Sequence, residues 1–143
     1  MKSFLSIFLL SLIAFACDDN STSNDNQTKV TSIATSGTWR ITYYYDTDKE
    51  ETANYTGYNF TFGSALTATN GTNTYTGTWS ISDSNSNDDT MDDLHFNIAF
   101  STPASFEELS DDWDILEVTD TRIKLVDVSG GNGGTDYLTF EKN

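Results

Sequence analysis

Apolar and polar residues alternate along most of the chain after residue 36, with the period of two that is typical of β-strands. The first such stretch covers residues 37–45, and its apolar side is formed by every second residue: Trp39, Ile41, Tyr43 and Tyr45. This spacing predicts a strand with one buried face. We expect it to be the first strand of a β-barrel.

The opening of this strand is repeated forty residues later, because Gly37-Thr38-Trp39 reappears as Gly77-Thr78-Trp79. A glycine marks a corner or a close approach of the backbone, and the large indole that follows can fill an interior. Trp39 and Trp79 are therefore both predicted to lie inside the barrel.

Similar alternation predicts seven more strands, in residues 58–62, 66–68, 72–82, 94–100, 113–119, 123–125 and 138–140. Asn70-Gly71 between two of them is typical of a two-residue hairpin turn. The apolar parity changes between Ile115 and Leu116, which predicts a β-bulge. Eight antiparallel strands in sequence order favour an all-β, up-and-down barrel, and a two-sheet β-sandwich is the alternative.

One short helix is predicted in the folded region. Thr102 resembles a helix N-cap and Pro103 suits the first helical position. The helix should extend about two turns and end near Ser110. It is predicted to lie across one end of the barrel, with Phe106 and Leu109 facing the interior.

Length and charge narrow the range of functions. A chain of 143 residues fits one domain with short extensions. The formal net charge of −15 disfavours nucleic acid as a partner, because such binding requires a cationic surface. Cys17 is the single cysteine, so the folded region contains no disulfide.

The first 35 residues differ in composition from the rest. Lys2 precedes an apolar run over residues 4–16, which is too short to span a membrane and has the order of a secretory signal. Residues 18–35 are mostly polar and predict a flexible tether. The expected organisation is a signal peptide in 1–16, a lipidated Cys17 with its tether in 17–35, and a barrel in 36–143.

The end of the apolar run, residues 12–17, resembles the lipobox of bacterial lipoproteins, with Ala14 and Ala16 before Cys17. This resemblance implies cleavage after Ala16 and acylation of Cys17, which would anchor the protein to a lipid bilayer. The implied location is the cell envelope, at the outer membrane. Whether the domain faces the periplasm or the cell surface is left open.

Residues 36–143 resemble the bacterial lipocalin-like domains, on the basis of Gly37 and Trp39 and their repeat at Gly77 and Trp79. The resemblance implies a barrel that binds a small apolar ligand. Lipocalins commonly pack an arginine over the first tryptophan. In this chain Lys142 or Arg122 is the candidate for that contact.

The predicted inward-facing aromatic residues are candidates for lining a ligand cavity: Tyr43, Tyr58, Phe60, Phe62, Phe96 and Phe100. The same residues could instead form a core, because large aromatic side chains quickly fill an eight-stranded interior. We expect a mostly packed barrel with at most a small pocket at one mouth.

Few residues suggest catalysis or metal binding. His95 is the only histidine and is predicted to face solvent, so neither a nucleophile with its base nor a cofactor is expected. Asp83, Asp89 and Asp92 form a weak candidate for a cation site in an acidic loop. The alternative to ligand binding is a structural or protein-interaction module of the envelope, with contacts made by acidic loops or the face containing Tyr44.

Overall fold

The structure is a computed structural model that describes residues 22–84, 91–129, 131 and 133–143. Short 3-10 helices occupy Thr52–Tyr55 and Met91–Asp93. The other elements are, in chain order, α1 (Thr22–Ala34), β1 (Trp39–Asp46), β2 (Lys49–Glu50), β3 (Asn59–Phe62), β4 (Leu66–Thr69), β5 (Thr74–Asp83), β6 (Leu94–Ala99), α2 (Ala104–Glu107), β7 (Asp111–Val118), β8 (Arg122–Val128) and β9 (Thr135–Lys142).

Eight of the strands form a closed antiparallel barrel. From β3 to β9 each strand pairs with the next in sequence, and β1 pairs with both β3 and β9. The pair between Trp39 and Lys142 lies at one end of the closing contact, and the pair between Tyr45 and Tyr137 lies at the other. The predicted barrel is confirmed and the two-sheet alternative is wrong. The two-residue β2 extends β1 and was not predicted.

Tyr43 and Tyr44 occupy the opposite sides of β1 from those that the sequence predicts. The register of β1 against β9 shifts between Ile41 and Tyr43, so Thr42 is the extra residue of a β-bulge. The bulge moves the alternation by one residue, which leaves Tyr43 exposed and Tyr44 buried. The prediction that Tyr43 lines the interior and Tyr44 faces solvent is therefore wrong.

Residues 22–34 form a helix, whereas their composition predicted a flexible tether. Val30 and Ala34 lie four residues apart on one face of α1 and are fully buried against the barrel core. The side-chain amide of Gln27 also donates a hydrogen bond of 2.6 Å to the Ile81 carbonyl on β5. Tertiary packing thus stabilises a helix with little apolar sequence of its own.

The other helix is shorter than predicted. α2 consists of one turn, and Pro103 occupies the N-cap rather than the first helical position. Phe106 and Leu109 are both buried, which confirms the predicted inward direction of these side chains.

The glycines of the repeated motif have different physical roles. Gly37 has a φ of +110°, in the region that side chains rarely adopt, and it turns the chain from α1 into β1. Gly77 lies within β5, where an added Cβ would clash with the Ala99 carbonyl oxygen and lie 2.9 Å from Cδ1 of Phe100. The second glycine therefore permits close packing of β5 on β6.

Tyr44 and Tyr55 are buried at the end of the barrel that carries α2. Their hydroxyls donate hydrogen bonds to the carbonyls of Glu108 (2.8 Å) and Ser105 (2.6 Å). Their rings meet edge to face at 5.4 Å. Burial raises the pKa of both phenols well above the ordinary tyrosine value, and the carboxylate of Asp46 raises the pKa of Tyr44 further.

This burial predicts alkaline instability. A raised pKa in the folded state means that stability is complete below about pH 10 and falls as the pH rises further, because only the unfolded chain readily loses these protons. In a titration followed at 295 nm, we expect two of the seven tyrosines to ionise only as the protein unfolds. Tyr44→Phe should reduce this alkaline sensitivity, and the exposed control Tyr137→Phe should leave it unchanged. Ionisation of all tyrosines before unfolding would contradict the prediction.

Candidate functional site

Most of the predicted cavity-lining residues form a packed core. Phe60, Phe62, Phe96 and Phe100 are all buried. The ring of Phe62 meets those of Phe96 and Phe140 at centroid distances of 5.2 and 5.4 Å. These are normal contact distances between aromatic rings, so the four residues contribute to the barrel core.

Phe106 fills the end of the barrel where a ligand would be expected to enter. Its ring, fully buried, contacts the aromatic rings of Tyr55, Tyr58, Phe60, Tyr75 and Phe100 at centroid distances between 4.8 and 6.0 Å. α2 supplies this side chain, so the helix across the barrel end carries the residue that occupies the mouth. The half-buried Tyr58 stacks on Tyr75 at 5.8 Å and lies at the edge of this cluster.

The opposite end of the barrel is covered by α1. The indole N–H of Trp39, which is fully buried, donates a hydrogen bond of 2.9 Å to the Ala34 carbonyl. The Lys142 ammonium lies 5.1 Å from the centre of the Trp39 ring, within the range of a cation–π contact. Of the two basic residues predicted to contact Trp39, Lys142 makes the contact.

Trp79 is less enclosed than Trp39. It is partly buried and packs against Phe62 and Phe96 at 5.3 and 5.8 Å. Its indole N–H donates a hydrogen bond of 2.8 Å to the Gly63 carbonyl. The repeated motif thus places one tryptophan in the core and the other at the core's edge.

Among the described residues, a groove on the outer wall is the main exposed apolar feature. It has a volume of about 280 Å³ and crosses strands β1, β9, β8 and β7. Three of its large side chains are substantially exposed: Leu116 at 59%, Tyr43 at 41% and Tyr137 at 39%. The complete lining, called the outer groove below, is Tyr43, Leu116, Lys124, Leu125, Tyr137 and Thr139.

Two β-bulges lie at the outer groove on the same row across the sheet. Tyr43 pairs with Thr139, Thr139 pairs with Lys124, and Lys124 pairs with Glu117. The bulge in β7 falls between Ile115 and Glu117, which confirms the bulge predicted from the sequence. The bulge in β1 turns Tyr43 to solvent at one end of this row, and the exposed Leu116 is the extra residue of the bulge in β7 at the other end.

Two basic residues beside the outer groove, Arg122 and Lys124, contact the same carboxylate at different distances. The Arg122 Nε lies 2.8 Å from Oε1 of Glu117, and this hydrogen bond lowers the pKa of the Glu117 carboxyl. The ammonium of Lys124 lies 3.8 Å from Oε2 of the same residue. Lys124 therefore has a longer and weaker contact with that carboxylate than Arg122 has.

The structure describes only some of the candidates for metal binding and acid–base chemistry. Nδ1 of His95 lies 3.3 Å from Oδ1 of Asp114 across a strand pair. Of the cation candidates, Asp83 ends β5, while Asp89 and the side chain of Asp92 lie outside the described residues. Among the residues that are described, no group of three or more His, Cys, Asp and Glu side chains is placed to hold a metal ion.

The segment predicted to direct the chain to a membrane lies outside the described residues. Cys17 and the apolar run before it belong to residues 1–21. No helix in the described part of the chain is long and apolar enough to cross a bilayer.

The sequence indicated only half of the outer groove. The parity change at Leu116 predicted a bulge there, but it did not predict that Leu116 is exposed. The three consecutive tyrosines at 43–45 fit either side of the strand, so the sequence alone did not locate the second bulge. Only the pairing of β1 with β9 shows that Tyr43 faces outward.

The fold and the outer groove define the chain as a small up-and-down antiparallel β-barrel protein with a packed aromatic interior. This topology is compatible with a lipocalin-like barrel. Comparisons with protein-family models, curated proteins and solved structures gave no match.

Proposed function

We propose that the protein is a non-catalytic binding protein of the bacterial cell envelope, anchored by acylated Cys17, and that it binds a small apolar ligand on the outside of its barrel. The observation that supports this proposal most is the contrast between a filled interior and an apolar outer groove. Exposed apolar side chains that lie together often mark a binding site. Three large ones beside one groove therefore favour a binding site there.

Native mass spectrometry tests the ligand. The purified protein should bind small apolar molecules from a lipid panel, and the mass of the complex should exceed that of the free chain by one ligand. Leu116→Ser should reduce the bound fraction, because it removes the most exposed apolar wall of the groove. Val128→Ser is the matched control, since Val128 is also exposed on the β8 strand but does not line the groove. Binding that is unaffected by Leu116→Ser would place the ligand elsewhere.

The anchor in this proposal holds the barrel close to the membrane. Helix α1 starts at Thr22, so residues 18–21 alone separate it from Cys17. Five residue steps span at most about 17 Å when fully extended, whereas a flexible coil over the whole polar segment would span about 20–25 Å. Docking of α1 on the barrel therefore shortens the tether on which the domain would move.

Acylation predicts that Cys17→Ala abolishes incorporation of labelled palmitate. The variant protein should also be lost from the detergent-extractable membrane fraction, because two or three acyl chains are needed for stable anchoring. Ser11→Ala is the matched control and should keep both the label and the membrane fraction. Label retained by Cys17→Ala would contradict the proposed anchor.

An envelope protein is the alternative partner. The exposed side chain of Val128 lies on the same outer wall as the groove, and its cross-strand partner is Thr135 on β9. Together with Tyr137 and Leu116 it extends the apolar area along β7, β8 and β9, and this extension beyond the groove is the observation that supports a protein contact as the second candidate. Photocrosslinkers at Val128 in intact cells would capture that partner, and a crosslinker at the exposed Lys49 on β2 is the control.

A further inference from the structure

We infer that the outer groove binds a small amphiphile with an apolar body and a carboxylate, and that Lys124 recognises the carboxylate. The inference rests on the proposed function and names the chemical class of its ligand. The groove lining contains one ionisable cation, Lys124, and no carboxylate, in a chain with 22 acidic and seven basic residues.

The position of the two bulges supports a binding site at this row of the sheet. A regular β1 would direct Tyr43 into the barrel, whereas Leu116 follows the buried Ile115 and would face solvent in a regular β7 as well. The bulge in β1 exposes Tyr43, and the bulge in β7 contains the exposed Leu116, so one large apolar side chain lies on either side of Lys124 and Thr139. Exposing such side chains lowers the hydrophobic stabilisation of the fold, so their convergence on one groove favours a ligand that covers them.

The surroundings of Lys124 favour an anion as the polar part of that ligand. Its nearest paired carboxylate oxygen, Oε2 of Glu117, is 3.8 Å away, and the other oxygen of that carboxylate is held by Arg122 at 2.8 Å. The ammonium can therefore form a shorter, charge-assisted bond with an incoming carboxylate. Repulsion from the net charge of −15 is screened beyond about 8 Å at physiological salt, so these local charges decide the preference.

The size of the groove limits the ligand. Its volume of about 280 Å³ is slightly below the ~300–1,000 Å³ of typical ligand sites. A single acyl chain or a substituted aromatic ring can lie between Leu116 and Tyr43, whereas a lipid with two acyl chains exceeds the groove. The exposed ring of Tyr137 forms the apolar surface on which that body would rest.

Dodecanoate and dodecanol, which share a chain and differ in the head group, test the inference by titration into the purified protein. NMR should show dodecanoate-dependent shifts at Leu116, Lys124 and Tyr137, with dodecanoate bound more tightly than dodecanol. Lys124→Gln should weaken dodecanoate binding by about tenfold or more and leave dodecanol binding unchanged, since a bond to a charged group is lost. Lys49→Gln, which removes a cation on β2, is the matched control and should change neither affinity.

The outcomes separate the inference from the proposed function. Equal affinity for both molecules at these residues, or no effect of Lys124→Gln, would overturn the carboxylate preference and leave an apolar groove in place. Shifts confined to interior residues such as Phe62 and Phe96 would overturn the groove as the site. Binding of neither molecule would overturn both proposals.

Discussion

Replacing Trp39 with alanine is expected to lower the free energy of unfolding by about 3–5 kcal/mol, the range for truncating a large buried aromatic residue. Trp39 is fully buried, and its indole joins β1 to the end of α1 through the bond to Ala34. A domain of this size is commonly stable by only about 5–15 kcal/mol. Urea unfolding followed by circular dichroism measures the loss.

The same substitution should release α1 before the barrel unfolds. The bond to the Ala34 carbonyl and the packing of Val30 on the core are among the contacts that hold this helix. Hydrogen exchange should therefore accelerate in residues 25–34 more than in β7 and β8. Leu116→Ala is the matched control, because a side chain 59% exposed should change stability by no more than about 0.5 kcal/mol. A loss below about 1 kcal/mol for Trp39→Ala would show that the indole is not a core residue.

The barrel could be predicted from the sequence because alternation and turn residues agree along the chain. Pairing of strands that are neighbours in sequence is the simplest topology. One hairpin lies where Asn70-Gly71 predicts it, but its connection is longer than the predicted two-residue turn, because residues 70–73 separate the paired Thr69 and Thr74. The inward direction of Phe106 could be predicted for a different reason. An apolar residue in a short helix at a barrel end has few places to pack other than the barrel interior.

The helix α1 could not be predicted from local sequence. Most of its residues are polar, and Val30 and Ala34 are too few to give a clear helical pattern. Its stability depends on a complementary surface that only the closed barrel provides. Composition reports the cost of ordering a segment but carries little information about a distant docking surface.

Alternation also could not distinguish a core from a ligand cavity. Phe60, Phe62 and Phe96 face inward in either case, so the pattern is the same for a filled barrel and a hollow one. The difference lies in whether another side chain occupies the remaining space. Here Phe106 from α2 does so at one end and Trp39 does so at the other.

Replacing Phe106 with alanine should therefore have two effects. The free energy of unfolding should fall by about 3–5 kcal/mol, because the ring is fully buried among five other aromatic rings. The variant should also gain an apolar cavity at the α2 end of the barrel. An empty apolar cavity stays dry and binds small apolar molecules such as benzene.

Thermal unfolding with and without benzene measures the second effect. Benzene should raise the melting temperature of Phe106→Ala, because a ligand that binds only the folded state stabilises it, and should leave the wild type unchanged. Glu107→Ala, an exposed change in the same helix, is the control for both stability and benzene binding. If benzene stabilises the wild type as much as the variant, the barrel already contains an open cavity and the interior would compete with the outer groove as the ligand site. If neither protein responds and Phe106→Ala is nearly as stable as the wild type, Phe106 does not fill the mouth.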